Sequence, residues 1–299
     1  MNARKEYNMA LTINTNLSSM IVQSNLAQST IQLNKAIERM TTGYKINHAS
    51  DNAAGYSIAK NWEAKLSSLD IAADNAATGA DMLATLEDNY ALISTHVQRV
   101  RDLTEQAANG TYGDESRQAI ESEIKSRLDE IDRIAANCEF NGIDLMKKGS
   151  EAATSGLSIQ VGLDSTEGKS QIALDKSLFA DGSVEGLFGT GVTSATLAAQ
   201  CAGRAEGVTA ESKLSAIDNV IKNISSRVTT LGAAQNRIES AIESIGVQSE
   251  NITSSLSTLR DADVATESSN YIKAQILQQA SATLLATANQ SPSIALNLL

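Results

Sequence analysis

Between residues 214 and 259 an apolar side chain returns at alternating steps of three and four. The positions are Leu214, Ile217, Ile221, Ile224, Val228, Leu231, Ile238, Ile242, Ile245, Ile252, Leu256 and Leu259, broken at Gln235 and Ser249. This period predicts a helix with one narrow apolar seam that only another helix can cover. At 1.5 Å per residue such a helix is a rod of roughly 70 Å. Ile224, Leu231, Ile238, Ile242 and Ile245 form the densest part of the rod seam.

The rest of the chain is patterned more weakly. Residues 17–44 predict a helix in which Leu26, Leu33 and Met40 recur every seven residues, with Thr30, Ile37 and Tyr44 between them. That seam is half polar, so the helix is marginal alone. GYKINHASDNAAG (43–55) reads as a break, with Ser50 or Asp51 placed to cap the following helix. A second helix spans about 53–108, with small residues along the first half of its seam. Asn109-Gly110 and Gly113-Asp114 turn the chain into a third helix, which ends at Asn137. Most of the 18 glycines and all 3 phenylalanines then fall between 140 and 207. Within that stretch LSIQVGL (157–163) and QIAL (171–174) alternate like strands, and STEG (165–168) between them can turn. A last helix, about 265–299, carries a broad apolar face that includes Ile276, Leu277, Leu284 and Leu285.

The expected fold is mainly α: a long antiparallel helical rod, coiled-coil-like, with a small β-hairpin and loop insert at one end. The expected division is 1–50 (N-terminal helix), 51–145 (rod, first part), 146–210 (β/loop insert), 211–262 (rod, second part) and 263–299 (C-terminal helix). The insert is expected to cap one end of the rod, and deleting 180–191 is expected to leave polymerisation intact. The terminal helices have apolar faces that call for a partner beyond the monomer.

Composition narrows the function classes. A net charge of −11 disfavours a nucleic-acid binder, which needs a basic face. No apolar run approaches the 18 or so residues of a membrane span, and the first residues lack the apolar core of a secretory signal. Cys138 and Cys201 read as two isolated thiols, one at a helix end and one in a loop. His48 and His96 have no ligand-spaced Cys or carboxylate, and GTGVTSA (189–195) lacks the lysine of a phosphate loop. No catalytic, cofactor or metal site is expected. The acidic and basic residues of 121–133 sit at the helical spacing of solvated ion pairs.

Specific motifs lie at both ends. TINTNLSSMIVQSNLAQSTIQLNKAIERMTTGYKINHASDNAAGYSIAK (12–60) resembles the N-terminal signature of bacterial flagellins. LGAAQNRIESAIESI (231–245) and the segment from STLRDADVATESSNYIKAQ to the end (257–299) resemble the C-terminal one. VQRVRDLTEQAANGTY (97–112) and AANCEFNGIDLM (135–146) are similar to the middle helices and the turn into the family's β region. The first eight residues precede the family's usual start, which makes Met9 as well as Met1 a candidate first residue.

The resemblance implies a structural subunit that polymerises into the extracellular flagellar filament, with end helices that fold on assembly. It places Leu26, Leu33, Ile37, Met40, Ile276, Leu277, Leu284 and Leu285 in the polymer core. It implies passage through the flagellar type III export apparatus, a flagellin-specific chaperone on the C-terminal segment, and contacts with filament cap and hook-associated proteins. It also matches Arg99, Leu103 and Glu123 to the family's contact with an animal Toll-like receptor. The alternatives are a hook–filament junction protein and a secreted helical receptor-binding protein.

Overall fold

The computed structural model describes residues 15–163, 170–205 and 208–297. The chain divides into two compact units, an end unit (Met1–Ala64 with Ile252–Leu299) and a middle unit (Lys65–Asn251). The principal helices are α1 (Leu17–Thr42), α2 (Ala53–Ala108), α3 (Asp114–Asn137), α7 (Ala210–Arg260) and α8 (Val264–Asn297). Between α3 and α7 lie strands β1 (Glu139–Phe140), β2 (Ile143–Asp144), β3 (Leu157–Gln160) and β4 (Gln171–Leu174). The short helices α4 (Glu151–Ser155), α5 (Val184–Phe188) and α6 (Ser194–Cys201) fall in the same stretch. The chain is mainly α, with long helices packed on one another and two small antiparallel strand pairs, as its periodicity predicts.

In the middle unit the seam of α7 is covered. Ile217, Ile224, Leu231 and Ile238 are buried among Leu83, Leu86, Ile93, Val97 and Val100 of α2 and Ile124, Leu128 and Ile131 of α3. Each such side chain contributes about 1.5–3 kcal/mol on burial. Ile242 is half-buried at the margin of this core, and Ile245 is buried. Gln235, one break in the heptad, donates to the Glu87 carboxylate at 2.8 Å, so the seam is crossed by a hydrogen bond there.

The insert contributes to this core. Leu178, Phe179, Val184, Leu187 and Leu197 are buried in the same cluster. Arg227 of α7 reaches the carbonyls of Ala180 (3.4 Å) and Asp181 (3.1 Å), while the Tyr90 hydroxyl donates to the Leu178 carbonyl at 3.2 Å. Asp132 of α3 accepts from the Val184 amide at 2.8 Å and from the Ser194 hydroxyl at 3.2 Å. Removing 180–191 would strip the buried Val184 and Leu187 and take away the partners that Arg227 and Asp132 find at Ala180, Asp181 and Val184.

Other local readings are sharpened. Strands β3 and β4 pair antiparallel with Leu157 opposite Leu174 and Gln160 opposite Gln171, and the turn read at STEG (165–168) lies outside the described residues. Ile159 of β3 lies where a Cβ on Gly79 would sit only 2.3 Å from its Cδ1, so a glycine in mid-helix is what lets the hairpin seat on α2. A second hairpin, β1–β2, turns through Asn141 (φ 49°) and Gly142 (φ 79°), the Asn-Gly chemistry of a type I′ turn. The cap of α2 is Asn52 and not Ser50 or Asp51: its side chain accepts from the Gly55 amide at 2.9 Å. Asp51 instead accepts from the amides of Asn47 and His48 and pairs with Lys35. Cys138 sits at the end of α3 as read, but Cys201 closes helix α6 and is buried, not in a loop.

The end unit is organised around the antiparallel pair α1 and α8. Asn16 caps α1 by accepting from the Ser19 amide, and Gly43 ends the helix in the left-handed conformation at φ 74°. Beyond Gly43 the chain pairs with the segment that links α7 to α8. The Lys45 amide donates to the Arg260 carbonyl at 2.7 Å, and the Ala262 amide donates to the Gly43 carbonyl at 2.8 Å. Arg260 stacks on Tyr44, 4.0 Å from the ring centroid, and pairs with Glu63.

Candidate assembly interface

The seam between α1 and α8 is made mostly of small and polar residues. On α8 the inward positions are Glu267, Tyr271, Ala274, Gln278, Ser281, Leu285 and Ala288, an unbroken alternation of four and three. On α1 they are Ser19, Val22, Leu26, Ser29, Thr30, Leu33 and Ala36. Directed bonds tie the two helices together. Asn16 donates to the Ala288 carbonyl at 2.7 Å, and Ser19 donates to Asn289 at 2.7 Å. Gln278 donates to Thr30 at 3.2 Å, and Arg39 pairs with Glu267 at 3.1 Å.

The large apolar residues point the other way. Leu17, Met20, Ile21 and Ile31 of α1 are exposed, Met20 at 62%. At 100° per residue these four share the face of α1 opposite its seam. On α8, Ile272, Ile276, Leu277 and Leu284 are exposed, Ile276 at 59%. Ile272, Ile276 and Leu284 fall on the i, i+4 row that forms a packing ridge on a helix surface. In the hairpin the residues buried outright are small or polar (Ser29, Ala36, Ala274, Ser281, Glu267), while most of the large aliphatic side chains are exposed.

This arrangement redistributes the polymer-core residues read from the sequence. Leu26, Leu33 and Leu285 are half-buried in the seam within one chain. Ile37, Met40, Ile276, Leu277 and Leu284 are exposed. Leu17, Met20, Ile21, Ile31 and Ile272, which are outside that set, are exposed as well. Their sequence signal is a second apolar stripe on each helix, without the seven-residue repeat of Leu26, Leu33 and Met40.

The receptor-matched residues separate in a similar way. Arg99 donates from Nε and Nη2 to one Glu123 oxygen, at 3.0 and 2.9 Å, and Arg127 lies 3.8 Å from the same oxygen. Both Arg99 and Glu123 are on the surface, whereas Leu103 is 2% exposed and belongs to the core. Leu103 therefore offers no surface beside the other two.

No grouping of chemistry emerges among the described residues. They contain no cluster of three or more His, Cys, Asp or Glu able to hold a metal, and no helix long and apolar enough to cross a membrane. Burial pushes the Cys138 thiol up to about 11 and raises Cys201 as well, which makes both poor nucleophiles. Burial likewise raises the Tyr90 hydroxyl, with Arg227 opposing it.

A unit with a closed core, joined in one chain to a hairpin whose apolar residues face outward, defines a structural subunit of a helical assembly. The profile of the bacterial flagellin N-terminal helical region matches residues 13–152, and that of the C-terminal helical region matches 214–299. The flagellin of Bacillus subtilis (strain 168) is 33% identical over 305 residues, covering 97% of this chain and 100% of that protein. The flagellar filament 33 kDa core protein of Treponema phagedenis is 30% identical over 301 residues, covering 97% and 100%. The flagellin of Listeria monocytogenes is 31% identical over 290 residues, covering 97% and 99%. The chain belongs to the bacterial flagellin family.

Proposed function

We propose that the protein is the structural subunit of an extracellular flagellar filament and that its α1/α8 hairpin is completed by neighbouring copies. The observation that carries this reading is the outward display of Leu17, Met20, Ile21 and Ile31 with Ile272, Ile276, Leu277 and Leu284. Apolar surface of this kind is worth about 25 cal/mol per Å² when a partner removes it from water. Because the faces lie away from the seam, a partner can cover them without opening the hairpin. Residues 1–50 and 263–299 then supply the inner core of the polymer, and 51–145 with 211–262 supply its helical shell. The test is electron microscopy of the purified chain after seeding with salt. Long filaments are expected, and short caps or soluble monomer alone would overturn the reading in favour of a junction or receptor-binding protein.

The same reading extends to the partners of the exported chain. An export chaperone would shield the α8 ridge Ile272–Ile276–Leu284 in a helix-in-groove complex, keeping the chain from premature polymerisation on its way to the type III apparatus. Truncation before α8 should abolish co-purification with that chaperone. Cap and hook-associated proteins would meet the same outward faces at the filament's ends. For an animal Toll-like receptor, Arg99 is the anchor and Glu123 its holder, with Leu103 acting only from beneath by fixing α2. A receptor reporter assay should lose signal with Arg99→Ala. An unchanged signal would remove this contact and leave the filament reading intact.

A further inference from the structure

Glu267 is the one buried acidic residue among the described side chains, 8% exposed, and it lies in the seam of the hairpin. Its carboxylate is met by Arg39 Nη1 at 3.1 Å, from the opposite helix, and by Asn270 Nδ2 at 3.4 Å, from its own. The other seam contacts with direction are Gln278 to Thr30, Asn16 to the Ala288 carbonyl and Ser19 to Asn289. All four pairings describe one antiparallel stagger.

Apart from Glu267, the seam residues that are buried outright do not select a stagger. Ser29, Ala36, Ala274 and Ser281 are small, so sliding one helix past the other by a heptad would replace one small contact with another, and the three neutral hydrogen bonds carry no charge that such a slide would leave buried. The charged pair behaves differently. A slide of seven would set Glu267 against Gln32 in place of Arg39 and leave the carboxylate without a cation. Lys35, the nearest other cation on that side of α1, is engaged by Asp51 at 3.3 Å. Polar groups placed singly in an apolar or small-residue seam are the best-attested use of such pairs for fixing register.

Resting on the filament reading above, we propose that the Arg39–Glu267 pair is a register pin. It sets the stagger of α1 against α8 and thereby the level at which the outward row Leu17, Met20, Ile21, Ile31 stands beside the row Ile272, Ile276, Leu284. Neighbouring copies dock on both rows at once, so a hairpin in the wrong stagger presents a surface that does not fit. Arg39 and Glu267 act through the placement of other residues and need touch no neighbour themselves.

The test uses the full chain. Arg39→Glu and Glu267→Arg should each lower the yield of sedimentable filaments about tenfold or more, because each leaves a buried charge facing its own sign. The double reversal should restore most of the yield. A pair that merely held the hairpin together is separated by Arg39→Met with Glu267→Met, since replacing a buried ion pair by apolar side chains preserves stability. In the soluble chain, Ser19→Cys with Asn289→Cys should cross-link efficiently when the pin is intact. With the methionine pair, helix content should hold, cross-linking should fall several-fold and filament yield should fall with it. Equal cross-linking and equal filament yield in the methionine variant would overturn the pin, as would failure of the double reversal to rescue. Should the parent chain form no filaments, the subunit reading fails, while the cross-linking comparison in the soluble chain still decides the pin.

Discussion

The two units solve opposite problems with the same element. In the middle unit, α2, α3 and α7 turn Leu, Ile and Val toward one another, and Arg227 and Asp132 satisfy the backbone of the insert that closes the core. In the end unit, α1 and α8 meet mostly through Ser, Thr, Ala and Gln, with Leu26, Leu33 and Leu285 among them, and leave Leu17, Met20, Ile21, Ile31, Ile272, Ile276, Leu277 and Leu284 exposed. One unit is complete within its own chain. The other leaves large aliphatic side chains exposed in the single chain, and on the proposed reading a second copy covers them. Helix content is therefore no guide to where stability resides.

That contrast is sharpest for single truncations. Ile238→Ala, at a fully buried position in the middle unit, should lower the unfolding free energy of the soluble chain by about 2–5 kcal/mol in chemical denaturation. Ile276→Ala removes a similar side chain from an exposed position and should change monomer stability by less than about 0.5 kcal/mol while sharply reducing polymerisation. Equal stability losses at the two sites would break the comparison. Limited proteolysis reads the same difference without mutation. Cuts should appear first before about residue 50 and after about residue 260, in the unit with few buried apolar contacts. Protection of those segments equal to that of α3 would show that the hairpin needs no partner. Ile242→Ala, at the half-buried margin of the core, should cost about 1 kcal/mol, between the two extremes.

The smallest effect concerns acid. The His48 amide, with help from Lys35 and the Asn47 amide, holds the Asp51 carboxyl below the ordinary range. A carboxyl lowered on folding adds stability that is present above its unfolded value, near 3.9, and lost as pH falls through the lower folded value. The loop between α1 and α2 should therefore loosen only below about pH 4, seen as faster proteolysis there. Asp51→Asn should loosen it already at neutral pH and flatten the acid dependence.

Much of this architecture was legible in the chain. The heptad run gave the seam of α7, because strong apolar periodicity and burial coincide there. The ends of α2 and α3 followed from Gly, Asn and Asp punctuation. The hairpin seam was legible only in part: Leu26, Thr30 and Leu33 of the seven-residue repeat do line it on α1, whereas on α8 Glu267, Ala274, Gln278 and Ser281 keep the register but carry little hydrophobic signal. Hydrophobicity instead marked Ile276, Leu277 and Leu284, which face outward, and the sequence does not say whether an apolar stripe meets its own chain or another. Helices α4, α5 and α6 were passed over because each is short. Their side-chain caps at Ser150, Ser183 and Thr193 were the available cue. Leu103 lies on the seam face of α2 and is buried, whereas Arg99 lies on its solvent face, and a local motif alone does not separate the two faces.

The outward rows on α1 and α8 also set how assembly responds to temperature. Removing aliphatic surface from water lowers the heat capacity of the system, and near room temperature its driving force is entropic. Joining subunits through Leu17, Met20, Ile276 and Leu284 should therefore give a negative heat-capacity change. Calorimetry should find an association enthalpy that becomes more favourable on warming, with the apolar attraction between copies weakening toward the cold.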